Sequence, residues 1–334
     1  MNHQTTQLML APMVRISSLP FRLLAAKYGA HQVYSPEIVD KRLIATTRVI
    51  NKNLNTIDFL DPSNSLCLRI HVNEKLNSKL VLQLGTACPE LALQAALKVK
   101  DDVYGIDINC GCPKKFSIHA GMILKKLVDN LNIPITCKIR LLGEKEVDIS
   151  ATIDLLKQIE QTGVSAVAVH CRTREERPRD RAHVDVFKQL VKAIKIPLIA
   201  NGDIFDFDTY LKLKSYGVDN FMLARAAQDN PSVFKLLTNQ INDGVSHYTI
   251  NDVFEVCKEY LKIAIEFDNP TANTKYCILQ MVQPKLGEVK KKVTFLRRET
   301  VGGNRGVPKS TRIIELQLPI KDAVAQAKTM QELW

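Results

Sequence analysis

Between Gly105 and Ser117 the chain reads GIDINCGCPKKFS, a short alternating apolar run that breaks into Cys110-Gly111-Cys112-Pro113-Lys114-Lys115. That is the pattern of a strand running into a loop. Gly111 admits backbone angles that other residues avoid, and Pro113 fixes φ and withholds an N–H, so Cys112 sits on a constrained turn beside two lysines, placed for chemistry. Asn109 closes the apolar run, and polar or special residues close seven others. They are Pro12 and Met13 in 8–13 (LMLAPM), Glu37 in 32–37 (QVYSPE), Gln83 in 80–85 (LVLQLG), and Lys138 with Arg140 in 135–140 (ITCKIR). His170 follows in 166–170 (AVAVH), Asn201 with Gly202 in 197–202 (PLIANG), and Ala224 with Arg225 in 220–225 (NFMLAR). Singly, each has a bland reading: a buried cysteine, a structural histidine, a solvated charge. Jointly they form a set able to hold a flat, phosphorylated cofactor. Asn201-Gly202-Asp203 and Ala224-Arg225 offer loop N–H groups and a guanidinium to phosphate, while Lys138 and His170 face a ring.

Elements that could gather these ends are legible in the spacing. Between most of the runs lie stretches with helical periodicity, such as Leu19-Phe21-Leu23-Leu24, Leu91-Leu93-Ala95-Ala96-Leu97, Ile153-Leu155-Leu156-Ile159 and Val186-Phe187-Leu190-Val191-Ile194. Eight strands alternating with helices predict an α/β fold of the (β/α)8 TIM-barrel type, whose C-terminal strand ends line the active site; the same alternation would also serve a doubly wound sheet. Residues 46–77 interrupt the alternation as a longer excursion, with an extra strand expected at 67–72. Beyond residue 245 the character changes. Helical spacing runs from 250 to 264, with Thr249 or Asn251 as N-cap, and a second helix is expected at 274–286. The expected organisation is a barrel domain, 1–245, and a smaller helical, basic domain, 246–334.

The chain has 334 residues and a formal charge of +11, which favours an acidic partner such as nucleic acid or an anionic membrane. Much of that charge falls in 285–312, where Lys285, Lys290, Lys291, Lys292, Arg297, Arg298, Arg305, Lys309 and Arg312 face only Glu288 and Glu299. An RNA-docking segment and a merely solvated one are both consistent with such a run. No stretch approaches the roughly 18 apolar residues of a membrane span, and the start lacks the basic region of a signal peptide, so a cytoplasmic protein without membrane association is expected. Eight cysteines in this context read as reduced thiols, and with no C-x-x-C pair no metal site is expected.

Taken together, LAPMVR (10–15), QLGT (83–86), DINCGCPKKFS (107–117), TCKIR (136–140), AVHCRTREERP (168–178), IANGD (199–203) and MLARAA (222–227) resemble the tRNA dihydrouridine synthases. EERP at 175–178 and FDN with NTKYC at 267–277 are most similar to the eukaryotic cytoplasmic branch acting on uridine 20 of the D-loop. The resemblance implies an FMN-containing barrel followed by a helical domain, with NADPH as reductant and tRNA as substrate. It assigns FMN contacts to Pro12, Met13, Val14, Glu37, Gln83, Lys138 and His170, and the phosphate end to Asn201, Gly202, Asp203, Ala224 and Arg225. The family cysteine falls on Cys112, a general acid for uracil C5; an ordinary thiol pKa of about 8.5 keeps it mostly protonated near neutral pH yet able to release the proton. Asn109 and Arg140 would hold the uracil edge. Where the family has G-G-M-G-A, this chain has Ala120-Gly121-Met122-Ile123-Leu124. Two other functions share the pattern: a flavin reductase acting on a free pyrimidine, and a non-catalytic RNA-binding relative.

Overall fold

The computed structural model describes residues 6–111, 116–144, 146–245 and 248–282, with the backbone alone for 116–119. Cys112 and the basic segment 285–312 lie outside the described residues. Strands β1 (Gln7–Leu10), β2 (Gln32–Val33) and β3 (Ile38–Val39) come first. The excursion holds β4 (Thr47–Asn51), β5 (Thr56–Leu60) and β6 (Leu66–His71). Then follow β7 (Val81–Gly85), β8 (Gly105–Asn109), β9 (Ile135–Arg140), β10 (Ala166–His170), β11 (Leu198–Asn201) and β12 (Asn220–Leu223).

Every pairing in the large sheet is parallel, in the order β2-β1-β12-β11-β10-β9-β8-β7-β3. The last strand pairs with the first, Leu10 opposite Leu223. A bridge between Tyr34 and Val81, with Ser35 N–H donating to the Val81 carbonyl, joins the end of β2 to β7 and closes the ring. Neighbours that follow chain order and a closed ring identify the TIM barrel and exclude the doubly wound alternative. Alternation along the strands separates two apolar layers. Met9, Ala11, Tyr34, Val81, Ala166, Ala168, Ile199 and Met222 fill the ring, while their strand neighbours Leu8, Leu10, Leu82, Val167 and Phe221 face the helices outside.

The excursion is a three-stranded antiparallel sheet, β4-β5-β6, where only one strand was expected. Its other two strands lack a period-2 signature because β4 is an almost wholly exposed edge and β5 is buried along most of its length. It is tied down by an ion pair. Arg22, on the helix Leu19–Lys27, pairs with Glu74 and donates to the carbonyls of Ser17 and Arg69; side-chain exposure is 1% and 0% for the pair.

The helix Val253–Glu266 is capped by Asp252, whose carboxylate accepts the N–H groups of Phe254 and Glu255, rather than by Thr249 or Asn251. The next helix, Thr271–Val282, begins three residues ahead of the expected 274. Both bury apolar residues in the barrel's outer layer, and Tyr260 meets Phe21 edge-on at 6.0 Å. The described part of the C-terminal region is therefore packed on the barrel, not tethered to it. Among the described residues no helix is long and apolar enough to cross a membrane.

The candidate active site at the barrel mouth

Two adjoining cavities, each of about 190 Å³, open at the C-terminal ends of the strands and share Arg140 and His170. Pro12, Val14, Glu37, Gln83, Asn109, Gly111, Lys138 and Ile139 complete the first; Asn201, Gly202, Asp203, Ala224 and Arg225 belong to the second. All the expected site residues among the described ones line this cleft except Met13. Met13 sits at the base of the β1 loop, packed against both apolar layers, with its N–H donated to Ser17 Oγ at 3.0 Å.

Register explains how residues far apart in sequence arrive together. Gln83, Asp107 and Thr136 are neighbours across β7, β8 and β9, all pointing inward. Gln83 Nε2 donates to Asp107 Oδ2 at 2.8 Å and Thr136 Oγ1 donates to Oδ1 at 2.7 Å. With its amide nitrogen so engaged, Gln83 has its carbonyl oxygen left to act as an acceptor. Two residues further along, Asn109, Lys138 and Ala168 share a level, and Arg140, His170 and Asn201 the next. Glu37 crosses directly over β7. A Cβ on Gly85 would stand 2.3 Å from its carboxylate oxygen, so a larger residue there would push the Glu37 side chain aside.

Lys138 makes no hydrogen bond or ion pair with the described residues, and burial pushes its pKa down to about 8, helped by Arg140 and opposed by Asp107. His170 is neutral: burial first, then Lys138, Arg140, Arg172 and Arg225, push it down to about 2. Arg172 Nη1 lies 3.2 Å from His170 Nε2, and since a guanidinium only donates, Nε2 accepts and Nδ1 carries the proton. At the other end of the cleft Asp203 takes hydrogen bonds from Arg172, Arg225 and the Ala182 N–H. Burial alone would raise its pKa, but these partners hold it below the usual carboxylate range. Arg225 also donates to the Pro178 carbonyl and packs over Phe205. Asp203 thus anchors two arginines, and a phosphate entering here would meet the remaining guanidinium donors. Gly202 has φ +133°, and a Cβ there would crowd Ala182, so the turn after β11 requires glycine.

Asn109 Oδ1 accepts the Gly111 N–H at 3.0 Å, closing the turn that leads to Cys112. Cys110 points the other way, into the outer layer beside Cys137, whose thiol is pushed well up by that neighbour and by burial. Ile123 and Leu124, which stand where the family motif has small residues, are buried in the same outer layer, so their bulk packs the helix Phe116–Asn130 against the barrel. Reading the sequence did not assign Asp107 or Arg172. Both stand two residues from an assigned one, Asn109 and His170, and the strand alternation that put Asn109 inside puts Asp107 there as well.

Asp107 has a measurable consequence. Burial pushes its pKa up to about 6, against hydrogen bonds from Gln83 and Thr136 that lower it. An unfolded aspartate titrates near about 3.9, so between those values the folded chain holds the extra proton and stability falls as pH rises. Asp107→Asn removes that dependence. The difference in melting temperature, variant minus wild type, should therefore grow between pH 4 and pH 6 and level off above; a difference independent of pH would contradict the assignment.

A family model described as dihydrouridine synthase (Dus) matches residues 9–300. Among curated proteins, a Schizosaccharomyces pombe tRNA-dihydrouridine(20) synthase is 44% identical over 82% of this chain and 59% of its own length. A Saccharomyces cerevisiae protein of the same name is 39% identical over 84% of this chain and 78% of its own. A Mus musculus tRNA-dihydrouridine(20a/20b) synthase-like protein is 30% identical over 67% of this chain and 68% of its own. This chain's match thus spans less than two thirds of the fission-yeast relative. With the family model covering most of its length, the chain belongs to the dihydrouridine synthase family.

Proposed function

We propose that this protein reduces uridine 20 in the D-loop of tRNA to 5,6-dihydrouridine, with FMN held in the cleft and NADPH as the reductant, in the cytoplasm. The observation that carries the reading is the cleft's division of labour: an unpaired Lys138 and a fixed Gln83 amide at one end, and Arg225 at the other. The two yeast relatives, named for position 20, support the choice of uridine. The donor set fits a flavin mononucleotide. Lys138 would face the edge of the ring that gains negative charge on reduction, the Gln83 carbonyl would accept from the ring's N–H, and Arg225 would grip the phosphate. Pro12, Met13 and Val14 would flank the ring, with Glu37 and His170 at its rim.

When bound, the reduced flavin would supply the hydride that adds to C6 of the uracil. The chain's own part is to receive the base, orient it and give it a proton. Asn109 and Arg140, at the mouth of the cleft, would hold the uracil carbonyls and N–H, and Cys112 would protonate C5 from the opposite face. The base must leave the folded D-loop, which costs a few kcal/mol offset by contacts to the RNA backbone. Residues 1–245 would carry the chemistry and 246–334 would contribute tRNA binding.

The purified protein should be yellow and release FMN on denaturation, and Arg225→Ala should weaken FMN uptake by about tenfold or more, the scale of a charge-assisted hydrogen bond. Protein that stays colourless after reconstitution with FMN would overturn the reading.

A further inference from the structure

The loop after β10 runs RTREERPRDRAH, residues 172–183, and carries arginines at 172, 174, 177, 179 and 181. Inside the loop the buried and half-buried polar side chains hold its backbone in place. Arg172, buried, donates twice to the Asp180 carbonyl and once to Asp203. Glu176 accepts the Thr173 N–H and pairs with His183. Asp180 accepts the Arg177 N–H and donates its own N–H to the Arg177 carbonyl. Arg225 holds the Pro178 carbonyl, and His183 N–H returns to Cys171. The loop is thereby fixed across the rim of the cleft, with Glu176, Arg177 and Pro178 lining it.

The acids and bases are not used alike. Glu176 and Asp180 serve the loop's own backbone, whereas Arg174, Arg177, Arg179 and Arg181 are exposed and form no ion pair with any described residue. Only Glu175 stands among them as an exposed acid without such a contact. Four cationic forks on a preordered loop, with Glu176 and Asp180 engaged by the loop and Glu175 the one exposed acid beside them, make a surface suited to a polyanion. Guanidinium forks pair with phosphate oxygens through two donors, and a loop already fixed loses little entropy on contact.

We propose that residues 172–183 form an arginine strap that docks backbone phosphates of the RNA beside the base held in the cleft. The proposal rests on the RNA-substrate reading above and adds a contact surface on the barrel itself, separate from the basic segment 285–312. Contacts of this kind read no sequence, so they would hold the RNA without choosing the uridine.

The test is binding of an unmodified tRNA transcript to the FMN-loaded protein at several salt concentrations. Each lost phosphate contact should flatten the slope of log affinity against log salt by roughly 0.7 to 0.9. For Arg174→Gln, Arg179→Gln and Arg181→Gln combined, the expected flattening is roughly 2.1 to 2.7, with FMN content and NADPH-driven flavin reduction unchanged. The corresponding triple Lys variant keeps the charges and should keep most of the slope. An unaltered slope in the Gln variant overturns the strap, as does a Lys variant that flattens equally, since that loss would be structural. Wild-type protein that fails to bind the transcript at all would overturn the RNA-substrate reading itself.

Discussion

Replacing Cys112 with alanine is expected to lower dihydrouridine formation by a factor of about 10² or more, the usual scale for removing a general acid, while leaving FMN binding, tRNA binding and flavin reduction by NADPH in place. Cys110→Ala should be nearly silent. The two thiols are separated by one glycine, and the fold gives Cys110 a purely structural place. Asn109 faces the cleft, whereas Cys110 faces the helices and lies against Cys137. A thiol packed in the apolar layer cannot reach a base on the open side of the barrel. If Cys110→Ala abolished turnover and Cys112→Ala did not, the assignment of the family cysteine would be in the wrong register.

The second large effect concerns the fold beneath the loop after β1. Arg22→Met should destabilise the protein by ~3–5 kcal/mol, because it leaves the Glu74 carboxylate buried without its partner and removes donors from the Ser17 and Arg69 carbonyls. Ser17 in turn accepts the Met13 N–H and donates to the Ala11 carbonyl, so the loop after β1 at the rim of the cleft should loosen too. The double variant Arg22→Met with Glu74→Met should recover most of the loss, since two apolar side chains of similar size leave no orphaned charge. Urea unfolding of the three variants decides this. A single Arg22→Met costing less than ~1 kcal/mol would mean that the pair is not what seats the excursion.

The barrel was legible because each strand ends in a chemically marked residue and each helix repeats at helical spacing. The eight runs fall on β1, β2 and β7–β12. Of the three-stranded excursion only β6, expected at 67–72, was legible; β4 and β5, one exposed and one buried along most of its length, leave no alternating pattern. Within the cleft, the outward-reaching donors could be named from strand ends, but their supports could not. Asp107 and Arg172 act through hydrogen bonds to other strands and loops, and which carboxylate meets which amide depends on barrel stagger, which sequence spacing does not encode. The same holds for Asp203. From sequence it belonged with the phosphate end, and in the fold its carboxylate holds Arg172 and Arg225.

The central claim is met most directly by incubating the purified, FMN-loaded protein with an unmodified tRNA transcript and NADPH, then mapping dihydrouridine by position. The account predicts NADPH-dependent formation at uridine 20, absent with Cys112→Ala. Dihydrouridine only at another position would contradict the assigned site, and none in a yellow, tRNA-binding protein would contradict the catalytic reading.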